Sequence, residues 1–499
     1  MQNWEELGNP PEFWDYFLKI SKIPRCTGNE DEIRKFIQAE AEKFGFSIEI
    51  DQVKNILIRI PSRVKNPEKE IKVILQSHMD MVCEKYKMYQ HDFSKDPLKL
   101  KIIEIDNEKW LTAEGTTLGA DNGVGIAYQL AIMKRIYNSK LDFGYLELSL
   151  LFTASEERLG LGAKGIDKTF IEGDFLINLD SEDEDKFIIG AAGGLGYRVE
   201  VKIERTPLIQ DKHIPLNIIV SGLKGGHSGV DINKDRANAL KLLIEILWKL
   251  TKEYKIFLIK LQGGTYPTAI PRESQAYFFI NIEDYEEIVK KISNITNQIN
   301  QFYVHTDPKI EISVHKLEDS SDYIPLTNDI QNRLLDLLYI LPSGPLIYHP
   351  KIKDLVHTST NLSILQSKKD QIEILLTGRS LNEYNLHNVN EKMILYFKHS
   401  GLDQKMTLIG RGPSWTPDFD SKIAKIAAQT YKELYNKSIN IQATHAGLVC
   451  SVFKKYLPKL EMISIGPKIV DVHSPNERLK VNSVDKIWKF LIAFIKNLN

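Results

Sequence analysis

The chain has 499 residues, 42% of them hydrophobic and 26% charged, with 65 basic side chains against 66 acidic ones. That length is more than one compact core takes up, so two domains are predicted, and the composition excludes a disordered, collagenous or coiled-coil chain. The near cancellation of charge excludes a global field that would draw the protein to nucleic acid or to an anionic membrane.

The opening residues, Met1-Gln2-Asn3-Trp4-Glu5-Glu6, hold no basic region followed by an apolar core, and no run of about 18 apolar residues follows, so no membrane partner is expected. From Pro10 to Phe46, the residues Phe13, Tyr16, Phe17 and Ile20, then Ile33, Phe36 and Ile37, recur at steps of three and four, which predicts two amphipathic helices. Short β-branched runs at 56–60 and 72–76 read as strands covered on both faces, the second stopping at Ser77-His78. The stretch from Lys65 to Lys72 between them reads as a solvated turn. Apolar runs at 146–152 and 175–179 each end in acidic residues, with a helical pattern at 124–137 before them. This is an α/β alternation, and in such sheets ligands sit at the carboxyl ends of the strands.

After Gly193-Gly194-Leu195-Gly196 a second sheet is expected, with strands at 197–203, 216–221, 277–282, 310–315 and 372–376 and helices at 237–250, 285–302, 328–340 and 388–399. A helix at 421–435, a strand at 460–465 and a helix at 485–498 return to the first pattern. The expected organisation is therefore a first domain made of residues 1–194 and 403–499, with an α+β domain at 195–402 inserted into it. Cys26, Cys83 and Cys450 are too few and too scattered for a disulfide framework or a CxxC zinc site, which suits a reducing compartment, the cytoplasm.

Five short motifs place a metal-competent side chain at or just after a strand end. In Ser77-His78-Met79-Asp80, residues i and i+2 of an extended segment share a face, so Asp80 can fix the tautomer of His78. Alone, the pair fits a structural histidine better than a ligand. Asp121, in Gly119-Ala120-Asp121-Asn122-Gly123, precedes a helix, where an N-cap is the plain alternative. Glu156 and Glu157 follow an apolar strand; they fit a solvated face, or one ligand and one base. Asp180 closes the run before it, and His473 arrives from the far end of the chain. Together the two histidines and three carboxylates form a nitrogen and oxygen set that zinc, manganese or cobalt accepts. One carboxylate bridging two ions, with one histidine and one carboxylate added per ion, gives the open two-metal arrangement of aminopeptidases.

The segments SHMDMV, TTLGADNGVG, TASEERLG, INLDSED, GGHSG, AIPRE, HAGL and HSPNE, spread in this order over nearly the whole chain, resemble those of the aminoacyl-histidine dipeptidase group. That group lies within the larger di-zinc metallopeptidase family that includes glutamate carboxypeptidase and aminoacylase. The resemblance implies an aminopeptidase-like catalytic domain, a central mixed sheet flanked by helices, with an inserted lid and dimerisation domain. It also implies a homodimer, two divalent ions, zinc first, and a dipeptide as substrate. In it Asp121 bridges the metals, His78 and Asp180 complete one site, and Glu157 and His473 the other. Asp80 orients His78, and Glu156 is the general base. It further implies that His227, of Gly225-Gly226-His227-Ser228-Gly229, reaches a catalytic centre, commonly that of the partner subunit, and stabilises the oxyanion. Arg379 grips the dipeptide carboxylate, and Thr268 and His445 lie near the substrate.

Two positions depart from the pattern. Thr268 stands where the group often carries asparagine, and Val449 stands where HAGLEC has its acid. Both bear on specificity and leave the five ligand positions untouched. Rival readings are an amidase or deacylase of N-acyl amino acids on the same di-zinc site, and a non-catalytic peptide-binding scaffold.

Overall fold

The structure, a computed structural model, describes residues 7–63, 70–158, 160–208, 210–318 and 323–499. The opening residues 1–6, Leu159 of the double-glutamate motif and most of the turn expected at 65–72 lie outside the described residues. Contacts divide the chain into one unit of Met1–Gly190, Trp415–Ala443 and Leu448–Asn499, and a second of Ala191–Ser414 with Thr444–Gly447. The second unit extends beyond the expected limits of 195 and 402 because the strands Gly193–Lys202 and Gln404–Gly412 pair with each other at the rim of its sheet.

In the first unit the helix Pro11–Ile20 buries Phe13, Trp14, Tyr16, Phe17 and Ile20, the face its spacing predicts. The strands Leu146–Thr153, Ile71–His78, Phe175–Asn178 and Glu461–Ser464 lie side by side and parallel at the centre of an eight-stranded sheet. Being covered on both faces, they read as near-continuous apolar runs. Parallel strands end on one edge, so His78, the Glu156–Glu157 turn and Asp180 are delivered there together. A buried polar row holds these ends in register: Gln76 Nε2 donates to Thr153 Oγ1 (3.1 Å), Asn178 Nδ2 to Gln76 Oε1 (2.5 Å) and Ser464 Oγ to Asn178 Oδ1 (2.5 Å).

A smaller four-stranded sheet, in the order Ile469–Val470, Arg478–Lys480, Glu108–Ala113, Leu100–Ile105, carries the loop 471–477 that holds His473. Cys26 and Cys83 are joined in a disulfide, with their Cα atoms 5.7 Å apart, which corrects the expectation of unpaired cysteines. The chain leaving His78 brings Met81 alongside Cys26, where Met81 N–H donates to Arg25 O at 3.0 Å. Spacing along the sequence cannot show such a meeting.

The second unit is a nine-stranded sheet whose recorded pairings are all antiparallel. Along Gly193–Lys202 buried residues alternate with more open ones, as in a sheet covered on one face. The helices Ala239–Thr251, Tyr285–Phe302, Asn328–Ile340 and Glu383–His399 contribute buried residues to the core that this sheet builds. Among the described residues no helix is long and apolar enough to cross a membrane.

Candidate metal centre

His78 ends its strand fully buried, and its Nδ1 lies 3.0 Å from Asp80 O and 3.3 Å from Asp80 Oδ1. Asp80 thereby holds the Nδ1 side of the ring, so that Nε2 faces the neighbouring carboxylates. Asp80 does more than orient the ring, because its carboxylate also accepts the N–H of Glu156 (2.9 Å) and of Glu157 (3.1 Å) and the hydroxyl of Thr27 (2.9 Å). Burial alone would raise the Asp80 pKa, but the bond from His78 and these further donors hold it down at about 2.

His78 Nε2 lies 2.9 Å from Asp121 Oδ1 and 3.4 Å from Asp180 Oδ1. The second oxygen of Asp121 is 3.1 Å from His473 Nε2, which is 3.0 Å from Glu157 Oε1. Asp121 therefore sits between two histidines and makes no side-chain cap to the helix Ala120–Tyr137, at whose start its backbone is non-helical. The peptide joining it to Asn122 is cis, and Asn122 Nδ2 donates to Asp180 Oδ1.

Among the described residues, three groups of side chains bring ligand atoms within 4.8 Å of one another: His78, Asp121 and Asp180; Asp121, Glu157 and His473; and His78, Glu156 and Glu157. The first two share Asp121. All five sequence-predicted ligands thus come together at one strand edge.

The electrostatics are those of a dense anionic cluster. Bonds to Asp121 and Glu157 push the His473 pKa up to about 11. Burial works to raise Asp121, yet the hydrogen bonds from His473 and His78 hold it below the usual carboxylate range. Asp180 is raised to about 6 by burial, with the neighbouring carboxylates adding to the shift against the pull of His78. Glu156 is raised further, to about 8, by burial and by Asp180, Glu157 and Asp121.

In the second unit the pairing of Gly226–His227 with Ala269–Ile270 joins the GGHSG and AIPRE segments. The N–H groups of Gly229 and Val230 both donate to His227 Nδ1 at 3.2 Å, so its proton resides on Nε2. Burial and the charge of Arg379 lower the His227 pKa, which keeps the ring neutral with one outward N–H donor. His445 is buried, bonds Ser359 Oγ through Nε2 at 2.7 Å, and is pushed down to about 3 by burial and Arg379. Arg379 Nε is itself buried without a hydrogen-bond partner, and burial alone lowers its pKa. Thr268 is exposed and joins this group through its carbonyl, which accepts Ser228 N–H at 2.7 Å.

Sequence reasoning missed Arg25, Thr27, Asn122 and Glu477. Arg25 acts on backbone atoms and leaves no spacing signal. Asn122 and Glu477 stand inside quoted motifs, so adjacency to a ligand was the available clue.

The profile of peptidase family M20/M25/M40 matches residues 74–497. The cytosol non-specific dipeptidase of Escherichia coli is 35% identical over 492 residues, covering 98% of each chain. The crystal structure of aminoacylhistidine dipeptidase from Vibrio alginolyticus superposes with a TM-score of 0.87 at 30% identity, covering 99% of this chain and 98% of that one. Human carnosine dipeptidase 1 shares the fold, with a TM-score of 0.53 at 11% identity over 99% of this chain and 98% of its own. The chain belongs to peptidase family M20/M25/M40 and is a metallopeptidase.

Proposed function

We propose that this protein is a dipeptidase that hydrolyses the amide bond of dipeptides, the Xaa-His type such as β-alanyl-histidine among them, with two divalent cations held by His78, Asp121, Glu157, Asp180 and His473. The observation that carries this reading is the position of Asp121, whose two oxygens meet His78 and His473, two histidines from distant parts of the chain. A structural histidine needs one partner; a carboxylate shared by two His-and-acid groups suits a pair of cations. The donor set fits: nitrogen and oxygen ligands without thiolate favour zinc, with manganese or cobalt as alternatives. Bound there, such ions would lower the pKa of a water and polarise the scissile carbonyl.

The remaining roles fall to the chain's own groups. Glu156, beside both ligand groups, takes the proton of the attacking water and returns it to the leaving amine. His227, with its proton fixed on Nε2, donates to the oxyanion. Arg379, a half-buried arginine whose Nε is buried and unpaired, suits the free carboxylate of a dipeptide. The proposal includes a homodimer formed through the inserted unit and a cytoplasmic location.

The test is substrate choice. Purified protein loaded with zinc should turn over β-alanyl-histidine and ordinary dipeptides far faster than N-acetyl amino acids. Turnover of acylated amino acids alone would instead support a deacylase.

Arg379→Met should lower kcat/KM on dipeptides roughly ten- to a hundredfold, mostly through KM, the scale of losing ~1.5–3 kcal/mol from a hydrogen bond to a charged group. Amidating the dipeptide's carboxyl should cost the wild type a similar factor and the variant almost nothing. An equal loss in both enzymes would remove Arg379 from carboxylate recognition.

A further inference from the structure

We propose that Arg25 and Glu477 form a buried clamp that sets the position of Asp121, and are thus positioning residues for both cations. This rests on the two-metal reading above.

Glu477 is 2% exposed, and its carboxylate accepts four consecutive backbone N–H groups. Oε2 takes those of Leu118 (2.8 Å) and Gly119 (2.9 Å), and Oε1 those of Ala120 (2.8 Å) and Asp121 (3.3 Å). The turn ending in Asp121 is therefore wrapped around one anion. Glu477 is fixed in turn where Thr112 Oγ1 donates to its carbonyl at 2.7 Å, which ties the smaller sheet to this turn.

Arg25, 3% exposed, holds the same turn through its carbonyls. Its Nη2 donates to Gly119 O, while Nη1 donates to Met79 O (3.1 Å) and Asp80 O (2.9 Å). One planar fork thus locks the segment after His78 to the segment before Asp121. The glycines leave room for it: a Cβ on Gly119 would lie 2.7 Å from Arg25 Nη2, and one on Gly123 2.8 Å from the same atom.

Neither side chain is one of the grouped ligands. Donor N–H groups drawn onto Glu477 and carbonyls drawn onto Arg25 fix both faces of one four-residue turn, so the shared carboxylate meets His78 and His473 without searching for its position. Altering such supports typically weakens metal binding ten- to a hundredfold.

Charge and position make different forecasts. A nearby cation repels dications, so by charge alone Arg25→Met should tighten metal binding and Arg25→Lys should leave it unchanged. The clamp requires both variants to weaken it, because neither side chain supplies the fork.

The experiment is chelator competition on the zinc-loaded full-length protein, giving the dissociation constants of both ions, with circular dichroism recording the fold. Wild type should bind two ions, and Arg25→Lys and Arg25→Met should bind both about ten- to a hundredfold more weakly. Should Arg25→Met fail to fold, Arg25→Lys alone decides between the forecasts, and Glu477→Gln, which keeps shape and one acceptor oxygen, should again weaken both ions together. If wild type binds two ions and Arg25→Lys matches it, the clamp is overturned and the two-metal reading stands. If wild type does not bind two ions, the metal reading falls first and the clamp with it.

Discussion

Asp121→Ala should leave a folded protein that retains neither cation at stoichiometric levels and shows no dipeptide hydrolysis above background. Asp121 is the one side chain common to the His78–Asp180 group and the Glu157–His473 group, so its removal leaves each with two protein ligands. The loss in affinity should exceed the ~10–100-fold that changes in outer supporting residues cost. Asp180→Ala is the control. It deprives one group only and should leave one ion bound, so elemental analysis of the two variants side by side separates a shared ligand from an ordinary one. Two ions retained by Asp121→Ala would contradict the assignment.

Glu156→Gln should retain both ions and lose about two to four orders of magnitude in kcat, the range for removing a general base. The prediction also discriminates between arrangements, because a Glu156 oxygen lies within 4.8 Å of ligand atoms of His78 and Glu157. Were it a ligand, the variant would lose metal rather than turnover. The pH dependence follows from the same carboxylate. Burial and the surrounding acids push its pKa up to about 8, and it accepts a proton only when ionised. Activity must therefore rise with pH as the carboxyl loses its proton, with the acid limb displaced toward neutrality from the ordinary glutamate range. Nearby dications favour the ionised form, so the midpoint should fall below 8. Glu156→Gln should abolish that limb, which a kcat/KM profile of both enzymes would record.

Several features were legible in the sequence because strands covered on both faces carry few polar residues. When such a run ends in a histidine or an acid, as at His78 and Asp180, the polar residue marks the edge of a parallel sheet. At the double glutamate adjacency alone leaves open which acid does which, and the resemblance assigns the roles; in the structure Glu157 faces His473 at 3.0 Å while both backbone N–H groups rest on Asp80. The hairpin of Leu100–Ile105 and Glu108–Ala113 was readable and missed. Asp106 and Asn107, both with positive φ, form the two-residue loop that joins such strands.

Other features were not legible in principle. The strand Val356–Ser367 is rich in serine, threonine and asparagine, yet largely buried, because its polar side chains bond within the second unit: Thr360 to Pro342 O at 2.8 Å and Asn361 to Ala269 O at 2.8 Å. A polar run covered by partners looks like a loop until the partners are seen. Arg25 escapes for a related reason, since it recognises peptide groups, which every residue possesses. The Cys26–Cys83 pair depends on two loops meeting beside the sheet edge.

The most direct measurement is anomalous diffraction at the zinc edge from crystals of the zinc-loaded protein. Two peaks about 3.5–4 Å apart, each within bonding distance of one Asp121 oxygen, with His78 and Asp180 at one and Glu157 and His473 at the other, are the expected result. A single peak, or a pair that does not touch Asp121, would contradict the account.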